Sequence, residues 1–195
     1  MTAVAVHACS LERVESLLFA KDPARSRIGD PESFYERVYA ERSLDALDDP
    51  ETAADVLRSL VLGPAPAEPL TRTYAVVLRS ILDTVCPRID DDAFGAMSLA
   101  DARSFARRLT EDIGPVLAAS LDARRLPFLS FEDKVHSPVF SYWTRDEIRR
   151  FLAGSDAALE LLHGDIDSSD RLRKLQGVWR SAVAQGPDAL LVITL

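Results

Sequence analysis

Residues 142–152 read Y-W-T-R-D-E-I-R-R-F-L, and this stretch decides how the last third of the chain folds. Thr144 precedes Glu147 by three residues, the spacing of a capping box. The threonine hydroxyl accepts from a backbone N–H of the first turn, and the glutamate reaches back to the cap's own N–H. Ile148, Phe151 and Leu152 then repeat at helical spacing. A helix is therefore expected to start at Thr144, with two large aromatic residues just ahead of its cap.

Outward from that helix, the same reasoning yields mostly helices. On the C-terminal side a turn is expected around Gly154, then an amphipathic helix over 170–185 carrying Leu172, Leu175, Trp179, Ala182 and Val183, with Ser168 or Ser169 as its cap. Gly186-Pro187 breaks it, and the non-alternating run 189–195 predicts a strand buried on both faces. On the N-terminal side, residues 2–8 carry Val4 and Val6 on one face and read as a strand. Ser10 caps a helix with Leu11, Val14, Leu17 and Leu18. Asp30-Pro31 and Asp49-Pro50 each place a cap before a proline at the first helical position. The first opens a helix whose apolar face is Phe34, Tyr35, Val38 and Tyr39. The second opens one with Ala53, Val56, Leu57, Leu60 and Val61 that stops at Gly63. Tyr74, Val77, Leu78, Ile81, Leu82 and Val85 form an unbroken helical stripe, ended by Pro87. Ser98 and Asp101 cap a helix with Leu99, Ala102, Phe105 and Leu109, and a short helix is expected around Ile113, Val116, Leu117 and Leu121. Residues 122–142 read as irregular. The expected class is α+β: one predominantly helical domain over 1–195, with a small sheet that includes the N- and C-terminal strands. A third strand is expected at 128–131 or just before Trp143, because two strands alone are marginal.

Composition narrows the function classes. The chain has 195 residues, 47% of them hydrophobic, and 23 Lys and Arg against 31 Asp and Glu, a net charge of −8. That balance disfavours nucleic acid and anionic membranes and suits a basic protein partner. Its apolar runs are too short to cross a bilayer, and the first residues have no basic residue before the apolar part, unlike a secretory signal. Two cysteines, Cys9 and Cys86, form no disulfide framework, so a reduced, cytoplasmic setting is expected.

Several stretches together resemble two bacterial families, the YfbM-like proteins and a related group of actinobacterial domains of unknown function. They are Val56-Leu57-Arg58-Ser59-Leu60-Val61-Leu62-Gly63, the stripe over 74–82, residues 142–152, and the run from Val178-Trp179-Arg180 through Gly186 to Leu195, with the first strand and helix. The resemblance covers about half of the chain. YfbM-like sequences usually carry a Trp-His pair before the L-x-x-L-L-x-G segment, where this chain has Ala53-Ala54-Asp55. The resemblance implies an α+β domain and no particular activity.

The standard catalytic motifs are missing. Its eight glycines form no phosphate-binding loop or dinucleotide fingerprint, and there is no G-x-S-x-G, H-E-x-x-H or C-x-x-C. Four constellations remain. His7 and Cys9 share one face of a strand and, with Cys86, have the chemistry of three zinc ligands, although a buried histidine and core cysteines are the plainer reading. Asp165, Asp167 and Asp170 have the spacing to hold a divalent cation, but fit a polar turn before a helix better. Asp90, Asp91 and Asp92 read as a solvated turn. The fourth is the aromatic loop 128–143, where Phe128, Phe131, Phe140, Tyr142 and Trp143 interleave with Glu132, Asp133, Lys134 and His136. Large side chains can simply pin such a loop to a scaffold, but an aromatic pocket holding a carboxylate and an imidazole can also bind a small molecule or move protons. Glu132, Asp133, His136, Tyr142 and Trp143 are the candidate ligand- or partner-binding residues. No metal and no cofactor is expected. The expected function is that of a non-enzymatic binding or regulatory protein, of the immunity type, acting through a protein partner. The alternative is a small enzyme or ligand-binding protein with its site on the loop 128–143.

Overall fold

The apolar run near the C-terminus becomes a strand inside the sheet, paired along both of its edges. A computed structural model of the chain describes residues 3–22, 29–41, 50–90, 98–111, 113–120, 126–133, 135, 137–162 and 164–194. In it β1 (Ala3–Cys9), β2 (Arg88–Asp90), β3 (Val139–Trp143) and β4 (Asp188–Thr194) form one sheet in the order β2-β1-β4-β3, every pair antiparallel. β4 pairs with β1 on one side and β3 on the other. Both of its backbone edges are therefore hydrogen-bonded, as suits a strand without polar alternation.

The fold is α+β and predominantly helical, with both terminal strands in this one small sheet. The third strand lies just before Trp143, inside the segment that reads as irregular. At the other expected place, Phe131 makes only an isolated bridge to Leu70. The fourth strand, β2, was not expected. It is three residues long and takes in Asp90, so the acidic run does not begin as a free turn; Asp91 and Asp92 lie outside the described residues. Nothing local marks so short a strand, whose existence depends on β1 lying alongside.

The chain gathers into two compact units. The sheet unit comprises Met1–Cys9, Pro87–Leu126 and Val139–Leu195, and the helical unit Ser10–Cys86 and Pro127–Pro138. Register sets the faces of the sheet. Ala8, Ala189 and Trp143 lie opposite one another, as do His7, Leu190 and Tyr142. Side chains directly opposite share a face. Val4, Val6, Ala189 and Trp143 join the core built by α5 (Leu99–Arg108), α6 (Gly114–Ser120), α7 (Arg145–Leu161) and α8 (Ile166–Gln185). Ala5, His7, Cys9 and Phe140 take the opposite face and are also buried.

Local capping places the helix starts. Thr144 and Glu147 form a complete capping box, with Thr144 N–H donating to Glu147 Oε2 at 2.9 Å. Ser98 and Asp101 form another, and Ser10 accepts from Arg13 N–H. Two boundaries correct the sequence reading. α7 runs straight through Gly154 to Leu161 with no turn there. A helical glycine costs about 1 kcal/mol relative to alanine, less than the packing of Ile148, Phe151 and Ala158 on either side of it contributes. α8 starts at Ile166, one turn earlier than expected. Asp165, rather than Ser168 or Ser169, is its cap and accepts from Ser168 N–H at 3.1 Å. Ser169 instead donates to Leu162 O at 2.9 Å.

In the helical unit, α1 (Leu11–Leu17) leads to α2 (Pro31–Glu41), α3 (Pro50–Leu62) and α4 (Arg72–Val85), and the last three pack on one another. Val77, Leu78, Ile81 and Leu82 of the α4 stripe are buried, as are Ala53, Val56, Leu57, Leu60 and Val61 of α3. Of the four residues expected on the apolar face of α2, Phe34 and Val38 are buried. Tyr35 is half-buried and Tyr39 is exposed. The four fall into two adjacent stripes, 34/38 and 35/39, and this helix buries only the first.

Candidate functional site

The connector after α1 makes the strongest local feature of the helical unit. Phe19 has φ 57°, in the left-handed region that a bulky residue rarely adopts, and its side chain is buried. The turn there directs three successive N–H groups at the end of α3. Phe19 donates to Leu60 O at 2.7 Å, Ala20 to Val61 O at 2.9 Å and Lys21 to Gly63 O at 3.0 Å. Carbonyls that a helix end leaves without intrahelical partners are satisfied this way. Strain of this kind persists only where the surroundings over-determine it.

Beside this connector, between the start of α2 and the second half of α3, lies an open cleft of about 480 Å³. Lys21 and Arg58 supply positive charge to its lining and Glu32 and Asp55 negative charge, with Ser59 and Leu62 also lining it. Asp30 closes the N-terminus of α2, accepting from Glu32 N–H at 3.2 Å and Ser33 N–H at 3.3 Å. The Ser33 hydroxyl on Asp30, with those two amides, holds its carboxyl below the ordinary value. The exposed stripe of α2 continues from the cleft as Glu32, Tyr35, Glu36 and Tyr39. The two tyrosine rings stack, centroids 6.1 Å apart, and the Arg58 guanidinium lies over Tyr35 at 5.5 Å. Such a surface holds polar groups of either charge and offers an aromatic face beside carboxylates.

The residues singled out in the loop 128–143 fall in both units. The helical unit takes its first part, ending at Pro138, and the sheet unit begins again at Val139. Glu132 and Asp133 follow the Leu70–Phe131 bridge, where Glu132 N–H donates to Leu70 O at 2.9 Å and its carbonyl accepts from Val135 N–H at 2.9 Å. Asp133 is exposed and Glu132 half-buried. Tyr142 and Trp143 are consecutive in β3 and so point to opposite faces of the sheet. Trp143 is 1% exposed, stacked on Trp179 at 4.5 Å with Phe151 edge-on at 5.3 Å. It is a core residue. His136 lies outside the described residues.

His7, Cys9 and Cys86 are all buried. Among the described residues no three His, Cys, Asp or Glu side chains gather in a way that could hold a metal ion. In the 165–170 segment, Asp165 caps α8 and meets Arg108 at 3.4 Å, while Asp170 pairs with Arg173 at 2.9 Å. The carboxylates of Asp165 and Asp170 are thus engaged with the helix end and with arginines.

Lys21, Glu32, Tyr35, Asp55, Arg58 and Tyr39 had no signal as a group in the sequence. Lys21 reaches the cleft through the turn at Phe19, which no local motif announces. The 35/39 stripe was the one legible sign: two tyrosines on a helix whose other stripe, 34/38, already suffices to pack. The chain matches no protein-family model, no curated protein and no solved structure. Among the described residues no helix is long and apolar enough to cross a membrane.

Proposed function

We propose that this chain is a binding or regulatory protein, of the immunity type, that acts without catalysis through a protein partner whose contact surface is basic. The supporting observation is the distribution of charge. The helical unit holds 16 Asp and Glu against 10 Lys and Arg, a balance of −6, whereas the larger sheet unit holds 15 against 13, a balance of −2. Three quarters of the net charge therefore sits on the smaller unit, and the carboxylates of its Glu12, Glu32, Glu36, Glu41, Asp55 and Glu68 are exposed. A net negative field of this kind steers an oppositely charged partner and repels polyanions, so neither nucleic acid nor an anionic membrane is the partner in this reading. The setting is the reduced cytoplasm, where Cys9 and Cys86 stay thiols. The YfbM-like resemblance belongs to the same reading and adds no activity to it.

The test is the association rate across a salt series, against a partner that co-purifies with the full chain or is encoded beside its gene. Screening lengths fall from about 10 Å at 0.1 M to about 3 Å at 1 M, so association should slow steeply while dissociation changes little. A salt-independent association rate removes the reading. Turnover of a small molecule that disappears in His136→Ala replaces it with an enzyme whose site is on the loop 128–143.

A further inference from the structure

We infer that the Glu32–Tyr35–Glu36–Tyr39 stripe of α2, with the cleft at its N-terminal end, is a contact surface that takes an arginine- or lysine-bearing segment of the partner. The inference rests on the proposed function and gives that reading a place on the molecule.

Residues at i, i+3, i+4 and i+7 line one side of a helix, so two carboxylates and two tyrosine rings alternate along a single ridge. Among the described residues of the helical unit, Tyr39 is the large hydrophobic side chain left exposed, at 52%. Exposed tyrosines are favoured anchors of interfaces, because a rigid ring offers much area at little entropic cost. The chain itself shows what this ridge accepts. Arg58 reaches from α3 to lie over Tyr35, and on the neighbouring stripe Arg37 lies over Phe34 at 5.4 Å. Tyr39 extends the Tyr35 stack by one ring, and Glu36 stands one turn before it. A partner guanidinium or ammonium placed there would meet a ring face and a carboxylate together, which are the two groups that recognise such cations. Asp55 and Glu32 continue the negative side along the cleft, where a second basic residue of an extended segment would fall. Lys21 and Arg58 lie on the same cleft, and a glutamate peptide in the experiment tests for an anionic segment instead.

The full chain, labelled with nitrogen-15, is titrated with an acetylated, amidated peptide of alternating arginine and glycine. Control peptides replace arginine by glutamine or by glutamate. Shifts confined to 31–41 and 55–63 are expected with the arginine peptide, with neither control binding comparably. Tyr39→Ala and Glu36→Lys should each weaken binding by about fivefold with the thermal midpoint unchanged, whereas Tyr39→Phe, which keeps the ring face, should bind as the parent does. Shifts centred outside 31–41 and 55–63, stronger binding of the glutamate peptide, or unchanged binding by Tyr39→Ala each overturn the surface. If association with the real partner depends on salt but ignores both Tyr39→Ala and Glu36→Lys, the surface is wrong and the functional reading stands. If association is independent of salt, both fall.

Discussion

Trp143 of β3 and Trp179 of α8 stack at 4.5 Å, with their planes only 23° apart, inside the core of the sheet unit. The pair fastens α8 to the sheet, and Phe151 closes one edge of it. Both indole N–H groups are buried and, among the described residues, have no hydrogen-bond acceptor. Trp143→Ala should therefore cost about 3–5 kcal/mol of stability, read from urea unfolding, as large-to-small core substitutions do. Trp143→Phe should cost clearly less, since it keeps the ring and removes an unsatisfied donor. A Trp143→Ala variant as stable as the parent would make this residue a surface ligand instead.

Gln176 is the polar counterpart of that pair. Its Nε2 donates to Ser155 Oγ at 2.7 Å and to Asp156 Oδ1 at 2.8 Å, locking α8 against α7. Ser155 in turn donates to Leu152 O at 2.8 Å. Gln176→Leu should cost about 1–3 kcal/mol, because it strips partners from groups on α7. Combined with Ser155→Ala, the loss should be smaller than the sum of the two single losses, the sign of direct coupling. A double-mutant cycle in urea measures it, and strict additivity would show that the bond contributes nothing.

Three helices share one device with a pH signature. A serine hydroxyl donates at 2.6 Å to the capping carboxylate in Ser33–Asp30, Ser98–Asp101 and Ser168–Asp165. That bond is the main cause that lowers each carboxyl from 3.8 in the folded chain. A depressed folded pKa adds stability above the unfolded pKa, and that stability is lost as pH falls through the folded value. Unfolding midpoints should hold from neutrality down to about pH 4 and then decline. Replacing all three aspartates by asparagine, which keeps an uncharged oxygen acceptor at each place, should flatten the decline below about pH 4. An unchanged acid limb would assign it to other carboxylates.

The end of α8 is tied to the first strand by lack of space. A Cβ built on Gly186 would stand 2.9 Å from Cys9 O and 3.0 Å from Cys9 N. Gly186→Ala should therefore destabilise by about 1–3 kcal/mol, although alanine normally gains from a less free unfolded chain. Truncation after Gly186 removes β4, which pairs with both β1 and β3, and should abolish the cooperative melt. A truncated chain that still melts cooperatively would show that the sheet does not depend on β4.

What the sequence by itself determined were the features made within one turn or one period. Thr144 with Glu147 and Ser98 with Asp101 announce their helices, because both partners of each bond lie three residues apart. The α4 stripe is legible for the same reason, its buried face being a property of 3.6-residue spacing alone. The two terminal strands stand out by their apolar runs. Tertiary structure decided everything that needs a distant partner. β2 exists because β1 pairs with it, and Gly154 stays helical because its neighbours pack on both sides. Trp143 is core because Trp179, 36 positions later, comes to lie on it. The aromatic loop 128–143 is continuous in sequence, and only tertiary contacts give its two parts to separate units. Conversely, Lys21, Glu32, Asp55 and Arg58 come from three segments and share one cleft only after the turn at Phe19 and the packing of α2 on α3 are made. Periodicity and capping are local physics, whereas a cleft is a relation between elements, which no local pattern contains.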